Sequence, residues 1–179
     1  MTVAEKLLIK GLKKGREEAY RQIVEEYGSR LLRTCYLILK DREEAEDVVQ
    51  ETFIKVFRKM GTFKEDSALY TWIYSIALNL SRDRLRKKQD VLVLEDEWIG
   101  SNDVESHIER SIDRELLKKE LFEMNALYRE VLVLFYFEEL SIKEISKLLN
   151  EKEGTIKSKL SRGRNILKES LLKGGKLNG

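Results

Sequence analysis

Apolar positions along this 179-residue chain recur every three or four residues and hardly anywhere alternate in steps of two. Between residues 41 and 60, Ala45, Val48, Val49, Thr52, Phe53, Val56, Phe57 and Met60 fall on one side of a helix. Between 67 and 88, Leu69, Ile73, Ile76, Ala77 and Leu80 do the same, and near the C-terminus Ile142, Ile145, Leu148 and Leu149 are followed by Ile156, Leu160 and Leu167. The pattern predicts helices over 3–14, 16–39, 41–60, 67–88, 104–124, 126–138, 142–149 and 154–172. Gly15 and Gly61 punctuate the first set, while Asp41 with Glu44 and Ser141 with Glu144 have capping-box spacing. Val91–Leu94 is the nearest approach to a strand and is isolated. The expected fold class is all-α.

The helical period lapses between Gln89 and Asp103, where Gly100-Ser101-Asn102 reads as loop. This predicts two small helical domains, 1–88 and 106–179, joined by a linker over 89–105. Composition agrees: 42% hydrophobic and 37% charged residues, ten glycines and no proline suit solvated helices joined by short turns. The net charge of +2 conceals a polarity. Residues 89–113 hold eight acids against Arg110, so the linker region carries −7 and the remainder +9. An acidic connector between two basic modules suggests nucleic-acid-facing domains.

A lone cysteine, Cys35, and a lone histidine, His107, rule out an internal disulfide and leave no structural zinc site. No 18-residue apolar span is present and the N-terminal apolar run is too short for a signal peptide, so a soluble, cytoplasmic protein is expected. Neither a glycine-rich phosphate loop nor a nucleophile–base constellation occurs. We therefore expect no enzyme activity, no small-molecule substrate, no cofactor and no metal.

Three surfaces carry chemistry. A charged loop containing Phe63, Lys64 and Ser67 precedes a helix whose second stripe is Trp72, Ser75, Asn79, Arg82 and Arg86. A ring for stacking, small polar groups for base edges and guanidiniums for phosphates match the needs of single-stranded nucleic acid. Arg84, Lys87 and Lys88 extend the cation cluster that would anchor a duplex edge. The competing reading makes Trp72 and Tyr74 core aromatics and the basic run a solvated helix end. On the 41–60 helix, Asp47, Gln50, Glu51 and Arg58 surround Ile54 about 180° from the core stripe, the anatomy of a protein contact.

The third surface lies near the C-terminus. There, two short helices joined by a turn at Asn150–Glu153 have helix-turn-helix spacing, with Gly163 where close packing is needed. The second helix would turn Lys157, Ser158, Ser161, Arg162 and Asn165 to the major groove, with Lys159, Arg164 and Lys168 toward phosphates.

In order, AEDVVQETFIKVFRKM (Ala45–Met60), TFKEDSALYTWIYSIALN (Thr62–Asn79) and LSIKEISKLLNEKEGTIKSKLSRGRNIL (Leu140–Leu167) resemble bacterial RNA polymerase sigma factors of the extracytoplasmic-function (ECF) group, sigma-70 family. The resemblance spans nearly all of the chain except the linker. It implies an N-terminal sigma domain 2 that binds core polymerase and recognises and melts the −10 element, and a C-terminal sigma domain 4 that reads the −35 element. It implies core RNA polymerase as partner, through the β′ clamp coiled coil and the β flap, together with promoter DNA and an anti-sigma factor. Asp47, Gln50, Glu51, Ile54 and Arg58 would then meet the polymerase. Phe63, Lys64, Ser67, Trp72, Ser75, Asn79, Arg82 and Arg86 would hold the melted −10 strand, and Lys157, Ser158, Lys159, Ser161, Arg162 and Asn165 would face the −35 element. The chain departs from the family at Asn125-Ala126-Leu127-Tyr128-Arg129, where relatives often carry Leu-Pro. The alternative reading is a stand-alone dimeric helix-turn-helix regulator that uses the Ile54 face for dimerisation and binds palindromic duplex without polymerase.

Overall fold

The computed structural model describes residues 2–89 and 114–174, and among these every regular element is helical. The chain divides into two compact units, 1–88 and 89–179. The Val91–Leu94 segment, His107, most of the expected linker and the first part of the 104–124 helix lie outside the described residues.

The first unit contains α1 (Val3–Lys13), α2 (Glu17–Leu39), α3 (Arg42–Lys59), a 3₁₀ turn at Met60–Thr62 and α4 (Leu69–Gln89). Gly15 turns the chain between α1 and α2 at φ 68°, a conformation that glycine adopts without a Cβ penalty. Lys40, left-handed at φ 63°, closes α2, so α2 and α3 form a tight hairpin. The core is built from Leu8, Ile9 and Leu12 of α1, Ile23, Leu31, Cys35 and Ile38 of α2, Ala45, Val48 and Val56 of α3, and Leu69, Ile73, Tyr74 and Ala77 of α4. Buried hydroxyls are satisfied within their own helices: Thr52 donates to the Val48 carbonyl at 2.7 Å and Ser81 to that of Ala77 at 2.9 Å.

Two expectations change. Phe57 was placed in the α3 core stripe, yet it is 61% exposed, because it sits at the edge of a stripe too wide for one helix face to bury. Tyr20 of α2 covers one side of its ring, with centroids 4.9 Å apart. The Asp41/Glu44 capping box is only half made. Asp41 accepts the Glu44 N–H at 3.2 Å, but the Glu44 carboxylate reaches across to Arg84 at 2.9 Å.

The second unit contains α5 (Arg114–Glu123), α6 (Ala126–Leu132), α7 (Ile142–Leu149) and α8 (Glu153–Gly174), with α8 packed on the other three. The expected 126–138 helix widens into a π-helical stretch at Val133–Phe137, where the Glu138 N–H reaches the Val133 carbonyl five residues back. Asn125 caps α6 by accepting the Leu127 N–H at 2.9 Å, which starts this helix without a proline. Ser141 and Glu144 form the complete reciprocal capping box of α7, and their hydrogen bonds hold the Glu144 carboxyl below the ordinary carboxylate range.

Arg129 is 2% exposed and donates to the Met124 carbonyl at 2.7 Å. Burial pushes its guanidinium down to about 10, opposed by the Glu130 charge.

Gly163 is where α8 meets α6. A Cβ there would lie 3.2 Å from Leu132 Cδ1 and Cγ and 3.3 Å from Tyr128 Cβ. Leu132 is itself 1% exposed, so it can give way only by moving other core side chains. Gly163→Val will therefore lower the stability of this unit by about 1–3 kcal/mol through overpacking. A thermal melt of the variant at or above the wild-type midpoint would contradict this close packing.

Candidate functional site

On α3 the structure places Asp47, Gln50, Ile54 and Arg58 at the surface, with Ile54 half exposed at 50%. Phe57, three residues on, adds a second exposed apolar group to the same edge, and half-exposed Val24 of α2 accompanies Tyr20 beside it. The sequence reading missed Phe57 and Val24. The available signal was the angle of Phe57, which at about 90° from the centre stands at the edge of the stripe. Glu51 is less free than its neighbours. It pairs with Lys55 at 3.0 Å and with Arg84 of α4 at 3.5 Å, and hydrogen bonds from Lys55 and then Arg84 hold its carboxyl below the ordinary value.

This pairing also divides the basic cluster at the end of α4. Arg84 is drawn back onto Glu44 and Glu51, and although burial alone would lower its pKa these two carboxylates raise it. Lys88 contacts Asp41 at 3.4 Å and Glu44 at 3.5 Å. Glu44, Glu51, Arg84 and Lys88, with Lys55, Leu80, Asp83 and Lys87, line a polar cleft of about 390 Å³ between α3 and α4. The five cations expected as one phosphate anchor are thus split. Arg82 and Arg86 lie on the Trp72 face, Arg86 pairing with Asp83 at 3.2 Å, while Arg84 and Lys88 tie α4 to α3.

The Trp72 stripe lies on one face of α4. Trp72, Ser75 and Arg82 are half-buried, and Asn79 and Arg86 are exposed. The Ser75 hydroxyl donates to the Trp72 carbonyl at 2.7 Å. Phe63 is 3% exposed and packs against the Trp72 ring, centroids 5.0 Å apart. It therefore supports the tryptophan from beneath and presents no surface of its own to a base. Lys64 and Ser67 are exposed in the loop. Tyr74 is fully buried, so one of the two aromatics belongs to the core and the other to the surface.

In the second unit α7 ends at Asn150, left-handed at φ 54°, and the Ser146 hydroxyl donates to the Glu151 carbonyl at 2.5 Å to fix the turn into α8. Ile156 and Leu160 point inward, while Lys157, Ser158 and Arg162 are exposed near the start of α8 and Ser161 and Asn165 are half-buried. Lys159, expected at a phosphate, is held by Glu151 at 2.6 Å with its side chain 17% exposed. It pins the turn to the helix.

Among the described residues no group of histidine, cysteine and carboxylates is arranged to hold a metal, and no helix is long and apolar enough to cross a membrane.

A helix-turn-helix with a basic leading edge, and a separate four-helix unit with a tryptophan face and an exposed apolar edge, have the make-up of a two-module nucleic-acid-binding protein. The model of sigma-70 region 2 matches residues 23–91, and that of sigma-70 region 4 matches residues 114–167. The chain is 33% identical over 184 aligned positions to the ECF RNA polymerase sigma factor SigW of Bacillus subtilis, covering 96% of this chain and 98% of that protein. It is 30% identical over 178 positions to the RNA polymerase sigma-H factor of Pseudomonas aeruginosa, covering 92% of each. Its fold is similar to that of the sigma factor RpoE of Bartonella quintana, solved in complex with the anti-sigma factor NepR, with a TM-score of 0.67, 29% identity, and coverage of 86% of this chain and 96% of that one. The chain belongs to the ECF sigma factors of the sigma-70 family. As such it binds core RNA polymerase and promoter DNA and directs promoter-specific transcription initiation, and its family is not one of catalysts.

Proposed function

We propose that unit 1–88 holds core polymerase and opens the −10 element, that residues 89–105 link it to unit 106–179, and that the latter reads the −35 element. Asp47, Gln50, Ile54, Phe57 and Arg58 dock on the polymerase, at the β′ clamp coiled coil that the family resemblance implies, with Glu51 at the border of that surface. Trp72, Ser75, Asn79, Arg82 and Arg86, with Lys64 and Ser67 of the loop, receive the unstacked non-template strand, and Phe63 sets the Trp72 ring. Lys157, Ser158, Ser161, Arg162 and Asn165 face base edges and adjacent phosphates of the −35 duplex, with Lys159 bracing the turn. The observation that carries this reading is the Trp72 stripe, half-exposed on a rigid helix and backed by Phe63. A duplex-only regulator has no use for such a ring.

Unstacking a base costs a few kcal/mol, which stacking at about 1–3 kcal/mol per base and phosphate contacts offset. Tethering both readers to one polymerase raises the effective concentration of each at its element. The protein works in the cytoplasm and is bound by an anti-sigma partner, as RpoE of Bartonella quintana is by NepR.

The test is transcription by purified chain and bacterial core polymerase on a library of promoter fragments. A discrete set of start sites, absent with core alone, is the expected result. Binding of the chain by itself, as a dimer, to palindromic duplex with no effect on the polymerase would overturn it.

A further inference from the structure

The segment that leads into α4 has no regular structure from Phe63 to Ala68, and Lys64 to Ala68 are all exposed. Within it Glu65 adopts φ 60°, a left-handed conformation unusual for a residue with a Cβ. Such a turn persists when its surroundings hold it. Two groups of α1 do so. The Lys13 ammonium donates to Glu65 Oε1 at 2.5 Å. The Glu5 carboxylate accepts the Leu69 N–H at 3.3 Å from 64 residues away in sequence. The second contact falls at the first amide of α4, where a helix leaves N–H groups without partners and a carboxylate is favoured. Trp72 lies one turn further on, its N–H bonded to the Ala68 carbonyl at 3.2 Å. Thus α1 grips the loop at its bend and at its exit into the tryptophan helix.

We propose that α1 is a latch that presets this loop for capture of the melted strand, with Lys13 and Glu5 as positioning residues. The inference rests on the reading that the loop and the Trp72 stripe receive unstacked bases. The side chains of Lys13 and Glu65 are 34% and 36% exposed, and an ion pair so placed contributes little to global stability, which here comes from Leu8, Ile9 and Leu12 beneath it. Its leverage is local. A binding-competent loop conformation populated for only a fraction of the time weakens strand binding by that fraction.

The holoenzyme separates this role from charge and from folding. Lys13→Glu, Glu65→Lys and the double reversal would be compared by 2-aminopurine fluorescence in the −10 non-template strand, beside core affinity and thermal midpoint. Charge alone makes Glu65→Lys bind the strand more tightly, because it adds a cation near phosphates. The latch makes it bind more weakly and melt the promoter more slowly, by about fivefold, with core affinity and midpoint unchanged. Lys13→Glu falls by a similar factor, and the double reversal recovers to within about twofold of wild type. Wild-type melting by Glu65→Lys, faster melting by it, or no recovery in the double reversal would overturn the latch. Trp72→Ala is measured alongside: its failure with the reversals unaffected removes the latch alone, whereas normal melting by Trp72→Ala removes the strand-capture reading and the latch with it.

Discussion

Ile54→Glu will remove this chain from core RNA polymerase while leaving it folded. Ile54 is 50% exposed on the face of α3 opposite the buried Ala45, Val48, Thr52 and Val56, so a glutamate there meets solvent and not the core. Substitutions at such positions change stability by about 0.5 kcal/mol or less. If the proposed face docks on polymerase, the same position is desolvated at the centre of a ring made by Asp47, Gln50 and Arg58, and a central apolar anchor is commonly worth about 2–4 kcal/mol. A buried unpaired carboxylate adds to that loss. The expected loss of core affinity is thus about 30-fold to 1,000-fold, measured by co-purification or fluorescence titration, with the far-ultraviolet spectrum and thermal midpoint retained. Phe57→Ser will weaken binding in the same direction, because Phe57 extends the apolar edge next to Ile54. Full transcription by Ile54→Glu, or its unfolding, would refute the assignment of this face.

The helices were legible because their apolar period is strong and their caps are local. Ser141 with Glu144, the trio Ile145, Leu148 and Leu149, and the pair Ile156 and Leu160 determine the helix-turn-helix within about twenty residues of sequence. The exposed Ile54 was legible for the same reason, since an angle on a single helix is a local property. What escaped depends on contacts between elements. Phe57 shares enough of the apolar period to pass as core, and its exposure follows from where α2 ends its coverage, at the Tyr20 ring. Phe63, taken as a base contact, is buried by Trp72 nine residues later.

The cations are the clearest case. Arg82, Arg84, Arg86, Lys87 and Lys88 are equivalent in composition, but Arg84 and Lys88 lie within reach of Glu44, Glu51 and Asp41 some forty residues earlier. A charge run states how many cations there are and not which carboxylates they meet. The same holds for Lys159, whose partner Glu151 lies across a turn. One consequence is mechanical: α3, which carries the proposed docking face, and α4, which carries the proposed strand-reading stripe, are joined by ion pairs along one cleft, so the two surfaces are held together within the first unit.

Trp72→Ala will weaken promoter opening severalfold or more while sparing recruitment of the polymerase. The ring is the one large aromatic surface on the α4 reading face, since Tyr74 is turned into the core and Phe63 lies beneath. Its removal deletes base stacking of about 1–3 kcal/mol, and each 1.4 kcal/mol is about tenfold in the population of open complex. The expected loss is therefore from about fivefold to more than a hundredfold, read by 2-aminopurine fluorescence or permanganate reactivity at the −10 element. Truncation also uncovers Phe63, so some loss of stability is expected, and Trp72→Tyr separates the two effects. A tyrosine ring keeps both the cover over Phe63 and a face for a base, and it should retain most of the opening activity. Core affinity, assigned here to the Ile54 face of α3, should be unchanged in both variants. If Trp72→Ala and Trp72→Tyr opened promoters equally well, stacking would play no part in strand capture. The guanidiniums of Arg82 and Arg86 would then have to hold the strand through its phosphates, and opening would respond to salt and not to the ring.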